Sequence, residues 1–159
     1  MSNQIGIEAA LQASRQELLA TLAQIDEAEW ETAVFPHDDQ STWTVTDLLR
    51  HLAEAERSMT RLMINIRDGG PGASPDFDLA RWNASRVAKN QHKTPADLLA
   101  DIATYRQEML QFMNSLQEDD WDKKGRHGTG VMMSIAEICT LAATHETQHT
   151  ADILQTINH

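Results

Sequence analysis

A single cysteine, Cys139, excludes an internal disulfide and fits a reducing compartment. It is read as a small apolar residue buried on the last helix. Glycine and proline are scarce, at 7 and 4 residues, and valine is sparse too. Ala, Leu, Gln and Met are plentiful instead, a balance that favours helices over sheets. Positive charge is also short: 13 Lys and Arg against 24 Asp and Glu leave a formal net charge of −11. The basic residues cluster only at Lys123-Lys124-Gly125-Arg126, so nucleic acid and anionic membrane are poor partners for this surface. No apolar run approaches a membrane span, and the polar opening residues do not form a signal peptide, which gives the expectation of a soluble, cytoplasmic protein. At 159 residues the chain fits one domain, 1–159, with room for a proper core.

What is present is helical periodicity. Ile7, Leu11, Leu18, Leu22 and Ile25 mark a first helix over about Ile5–Asp26, and Trp30 beyond it reads as a plug at the bundle end. Phe35 to Gln40, with Pro36 and His37, reads as a loop. A second helix follows Trp43, capped by Thr44 with Asp47 near its third position, along the seam Leu48, Leu52, Ala55, Met59, Leu62 and Ile66. Arg67 to Gly72 ends it. A long connection, about Asp68–Lys93, holds a shorter helix near Phe77–Gln91 with Trp82 and Val87 inward. Thr94-Pro95-Ala96-Asp97 opens a third main helix carrying Leu98, Ile102, Tyr105, Met109, Phe112 and Leu116. Trp121 and a Gly125–Gly130 loop containing His127 lead to the last helix, Ser134–Ile157, which Ser134 and Glu137 open as a capping box.

Stripes of this kind must bury one another, which predicts an all-α four-helix bundle with a long, partly helical crossover between the second and third main helices. That crossover can run back along the bundle, leaving the third main helix parallel to the second and the last antiparallel to it.

The last helix carries the chemistry. His145 and His149, one turn apart, fall within the arc of Ile138, Ala142 and Ile153. They are either core residues with satisfied nitrogens or two ligands of one metal ion. His51 lies at the edge of the second helix's apolar arc, and antiparallel packing brings it level with the pair. Three neutral nitrogens with an open position form the catalytic rather than the closed structural metal pattern. Asp47, one turn before His51, is placed to accept a hydrogen bond from its other ring nitrogen. Asp47 and Glu54 are general-base candidates as well as ordinary helix carboxylates. Arg86, Trp82 and His127 are within reach of a pocket mouth or of plain structural roles, while His37, His92 and His159 fall in loops or at the terminus.

The stretch Trp43-Thr44-Val45-Thr46-Asp47-Leu48-Leu49-Arg50-His51-Leu52-Ala53-Glu54-Ala55-Glu56 resembles the W-x-V-x-x-x-L-x-H-L-x-x-x-E motif of the DinB/YfiT-like proteins. His145-Glu146-Thr147-Gln148-His149 resembles their C-terminal H-x-x-x-H. The resemblance spans nearly the whole chain and implies a metal triad at His51, His145 and His149. It further implies zinc or nickel as the ion, a frequent homodimer, and relatives that act as thiol-dependent isomerases and S-transferases. Two features depart from it: many members carry a further His at the position of Gln148, and only scattered Arg81, Arg86 and Arg126 are available to an anionic thiol. The functional expectation is a metalloenzyme acting on a small molecule, as a thiol-dependent S-transferase or isomerase with a low-molecular-weight thiol cosubstrate, or as a hydrolase. A non-catalytic metal- or ligand-binding stress-response bundle and a purely structural dimerisation bundle are the alternatives.

Overall fold

The computed structural model describes residues 4–34 and 43–158; His37, His159 and the expected Phe35–Gln40 loop lie outside them. Five α-helices account for most of it: α1 (Gln4–Leu22), α2 (Val45–Arg67), α3 (Leu79–Lys89), α4 (Pro95–Ser115) and α5 (Ile135–Ile157). Three of them begin at capping boxes, which satisfy otherwise orphaned N–H groups at their first turns. Thr44 and Asp47 start α2, Thr94 and Asp97 start α4, and Ser134 and Glu137 start α5. The first helix stops at Leu22, a turn short of expectation, and α3 is trimmed at both ends, by its Asp78 cap and by Asn90.

Contacts between α1, α2, α4 and α5 give the packing directions. On α2 and α5, His51 meets His145 while Met63 meets Cys139, so these helices run antiparallel. On α2 and α4, Arg50 reaches Lys93, Glu56 meets Arg106, and Arg67 lies over Phe112, so these two run parallel. The expected directions are therefore those observed. The connection bearing α3 makes the parallel pairing possible, since its length carries the chain back to the starting end.

Two apolar clusters fill the bundle. One gathers Leu11, Met63, Met109, Met113, Ile135 and Ile138; the other gathers Leu18, Leu48, Leu49, Leu98, Ile102 and Ile153. Trp30 packs against the second cluster, at the bundle end as expected.

Between the clusters lies a layer of buried charge. Glu56 accepts from Arg106 Nε and Nη2 at 3.0 and 2.7 Å, and Glu146 accepts from Arg106 Nη2 at 3.2 Å and Arg15 Nε at 3.0 Å. Backbone carbonyls of Leu11 and Ile102 accept from Nη1 of Arg106 and of Arg15, Arg15 Nη2 donates to Glu56 at 3.3 Å, and the Ser14 hydroxyl donates to Glu146 at 2.7 Å. All four helices of the bundle contribute, and among the described residues no buried side-chain nitrogen or oxygen lacks a partner.

The segment expected as a loop before α5 is a hairpin. Strands β1 (Lys124–Arg126) and β2 (Met132–Ser134) pair antiparallel, with Gly125 opposite Met133. Strands of this length show no alternating pattern in sequence. Gly130 turns the chain at φ +90°, a conformation that costs glycine little. The hairpin docks on the α2–α3 connection, where Ala73 N–H donates to Arg126 O at 2.7 Å and Arg126 N–H donates to Pro71 O at 2.9 Å. Among the described residues no helix is long and apolar enough to cross a membrane.

Candidate metal centre

His51, His145 and His149 meet where α2 crosses α5. His145 Nε2 lies 3.1 Å from His51 Nε2 and 3.1 Å from His149 Nε2. One ligand atom from each ring falls within 4.8 Å of the others. Nitrogens about 2.0–2.1 Å from a tetrahedral zinc stand about 3.3 Å apart, so this spacing matches rings that share one ion. The His145 nitrogen can place a proton on only one of two neighbours, so direct hydrogen bonding cannot satisfy all three rings at once. A cation at their centre can. The donor set therefore fits a divalent metal of the imidazole-preferring kind.

Burial keeps the rings neutral. It pushes His51 down to about 3 and His145 to about 4, with mutual repulsion among the rings adding to the effect. Burial lowers His149 as well, against the opposing pull of Asp152. Neutral imidazole is the form that binds metal.

One ring has its tautomer fixed by a carboxylate. His149 Nδ1–H donates to Asp152 Oδ2 at 3.1 Å, which turns the Nε2 lone pair toward the triad. Asp152 carries no signal in the sequence that singles it out, whereas Asp47, expected in the equivalent role beside His51, is committed to other partners. Asp47 Oδ2 accepts the Thr44 N–H at 3.2 Å, and Oδ1 accepts from Arg50 and Gln91, each at 2.7 Å. Burial, the largest single effect, raises its carboxyl, but those bonds and the Arg50 charge together outweigh it and hold the carboxyl below the usual range. Glu54 is neither a solvated carboxylate nor a free base. Its side chain is buried and accepts from Arg86 Nε at 3.1 Å and Asn90 Nδ2 at 3.2 Å, with Arg57 at 3.8 Å. Both carboxylates dock α3 onto α2: Arg50, which Asp47 holds, reaches the carbonyls of Asn90, Gln91 and Lys93 at the C-terminal end of α3.

The docked α3 walls a cavity of about 420 Å³ that opens on the triad. His51 and His145 line it, with Met59, Leu62, Phe77, Leu79, Trp82 and Leu141 among its apolar residues and His127 on the hairpin side. Trp82 thus faces the cavity instead of the core, and Arg86 is taken by Glu54. His92 is exposed in the turn before α4 and belongs neither to the triad cluster nor to the cavity lining. Glu56, His145 and Glu146 line a small gap of about 10 Å³, where the buried charge layer touches the triad.

The family model described as the DinB superfamily matches residues 10–153. The chain belongs to the DinB superfamily. No curated protein matches it. Among solved structures, YfiT from Bacillus subtilis, described as a probable metal-dependent hydrolase with an unusual four-helix bundle topology, superposes with a TM-score of 0.71 at 17% identity, covering 98% of this chain and 86% of that one. The mycothiol-dependent maleylpyruvate isomerase gives 0.72 at 18% identity over 92% of this chain, which spans only 60% of the isomerase. The four-helix bundle protein TT2238 gives 0.65 at 19% identity, covering 92% and 94% of the two chains. At these identities the likeness establishes the bundle fold.

Proposed function

We propose that this DinB superfamily member holds one divalent ion, zinc or nickel, on His51, His145 and His149, and acts on a small molecule in the adjoining cavity. The observation that carries the reading is the convergence of three ring nitrogens, two pairs of them 3.1 Å apart, at the edge of a mainly apolar cavity of about 420 Å³. When bound, such an ion supplies Lewis acidity and an ionised water or thiolate at neutral pH. Asp152 keeps the His149 proton on Nδ1. The apolar wall built from α3 and the hairpin limits water around the site, which strengthens the polar interactions made there.

Two reaction classes suit this arrangement: hydrolysis, and thiol-dependent S-transfer or isomerisation with a low-molecular-weight thiol cosubstrate. The relatives' descriptions support both. The commitment of Asp47 and Glu54 to docking α3 favours a second reading, a non-catalytic metal- or ligand-binding bundle, because neither is free as a general base. We place the protein in the cytoplasm as a homodimer.

Elemental analysis of the purified protein tests the metal reading directly. His51→Ala, His145→Ala and His149→Ala should each lose most of the metal on dialysis, since two nitrogens hold a divalent ion weakly, while His92→Ala should keep it. Equal metal in all four variants would refute the triad. Chelator-sensitive turnover on an ester and small-thiol panel, weighed against none, separates enzyme from binding bundle.

A further inference from the structure

His127 stands outside the triad, yet the hairpin holds it in one defined state. Its backbone is fixed by bonds from His127 N–H to Val131 O and from Gly130 N–H to His127 O, both 2.8 Å. The ring is pinned through Nδ1, which accepts the Thr129 backbone N–H at 3.2 Å and lies 3.0 Å from the Thr129 hydroxyl. A backbone N–H can only donate, so Nδ1 carries the lone pair and the proton of the neutral ring sits on Nε2. None of the described residues accepts a hydrogen bond from Nε2, and none of them has a sealed side-chain polar atom left unpaired. Nε2 is therefore not sealed away, and the cavity over the triad is the open space that His127 lines.

The other polar groups of the lining are differently placed. Beyond the triad, Ser58 donates to Ala55 O at 3.1 Å, Thr129 serves His127, Arg61 is exposed, and Asn83 on α3 is a half-buried neutral amide, less enclosed than His127. His127, only 8% exposed, thus presents a buried and neutral donor on an apolar wall. A charged group brought against that wall would lose hydration with only a neutral donor in return, whereas a carbonyl loses little and gains a bond. We infer that His127 is a substrate-positioning donor, and that the cavity takes a small, mainly apolar molecule whose uncharged oxygen acceptor, such as a carbonyl, receives the Nε2–H. This deepens the proposed function, on which it rests for the cavity being the substrate site.

The test uses metal-free protein and matched probes. Acetophenone and ethylbenzene share an apolar body and differ in the carbonyl, and their affinities are read by NMR titration. Acetophenone should bind wild-type protein about three- to tenfold more tightly, the worth of one net hydrogen bond. That preference should vanish in His127→Phe and in His127→Asn, the second of which keeps an acceptor for the Thr129 N–H and so preserves the hairpin. Histidine nitrogen shifts of the wild-type protein should place the His127 proton on Nε2. A proton on Nδ1, no preference in the wild type, a preference that survives both variants, or benzoate binding more tightly than acetophenone would each overturn the inference. Metal content, measured separately on the same variants, should be unchanged. Loss of the metal reading with the probe preference intact would leave His127 as the donor of a plain ligand pocket, so the two failures are distinguishable.

Discussion

Removing Glu56 should destabilise the protein more than removing any surface carboxylate. Glu56 is 6% exposed and lies between the guanidinium groups of Arg106, at 2.7 and 3.0 Å, and Arg15, at 3.3 Å. In Glu56→Ala both arginines would depend on Glu146 alone, leaving one uncompensated positive charge in the centre of the bundle. Breaking a buried pair this way costs about 3–5 kcal/mol, because the stranded charge has lost both water and its partner. For a chain of this size that is a fall in Tm of roughly 6–20 °C. The control is Asp101→Asn, which removes a half-exposed partner of Lys93 at 2.6 Å and should cost no more than about 1 kcal/mol. Replacing the pair together, Glu56→Leu with Arg106→Leu, removes opposite charges and leaves Arg15 with Glu146. It should recover much of the loss. The assay is urea denaturation followed by circular dichroism, with chelator present so that metal binding does not contribute. A Glu56→Ala cost no larger than that of Asp101→Asn, or a double variant no more stable than the single one, would refute the reasoning.

Two further outcomes follow from the triad. Asp152→Ala frees the His149 tautomer and should weaken metal binding by about 10–100-fold, while Asp47→Ala, whose carboxylate is spent on α2 and α3, should leave metal affinity within about threefold; competition with a chromophoric chelator reads both, and the reverse ranking would sink the assignment. Metal-free protein should lose stability as pH falls below 6.5. His51 is held down to about 3, so the unfolded chain takes up its proton first and native stability drops by about 1.4 kcal/mol per pH unit from this ring until its folded pKa is reached. His51→Ala should flatten that slope in urea titrations between pH 7 and 5, and an unchanged slope would contradict the burial of a neutral ring.

The features legible in the sequence are those whose cause lies within one or two helical turns. Thr44 with Asp47, Thr94 with Asp97 and Ser134 with Glu137 announce helix starts because the capping bonds join residues three apart. The pair His145 and His149 is equally local. The choice between Asp47 and Asp152 is not. Each lies about one turn from a triad histidine, and helix geometry alone makes both plausible partners. What decides is tertiary: the segment after α3 brings Gln91 onto Asp47 and, through the carbonyls of Asn90, Gln91 and Lys93, holds the neighbouring Arg50 against it. Glu54 misleads for the same reason, since the polar side of α2 is where α3 lies. The hairpin is invisible because its strands are too short to show alternation, and with it goes the environment that buries His127.

Arg15 and Arg106 are the least legible of all. A charge inside an apolar stripe looks like the edge of the stripe, and it becomes interior only when four helices bring opposite charges to one depth. That depth is also where the triad sits. His145 and Glu146 are adjacent on α5 and about 100° apart around it, so one turns toward the cavity and the other into the bundle. On α2, His51 and Glu56 divide the same two tasks. Both resembling motifs thus pair a ligand candidate with a buried acid, and the acid locks its helix to Arg15 and Arg106. Sliding α5 along α2 by one residue would break both sets of contacts together. The charge layer therefore fixes the helix register on which the 3.1 Å spacing of the ring nitrogens depends, and a fully apolar core would hold that register less tightly.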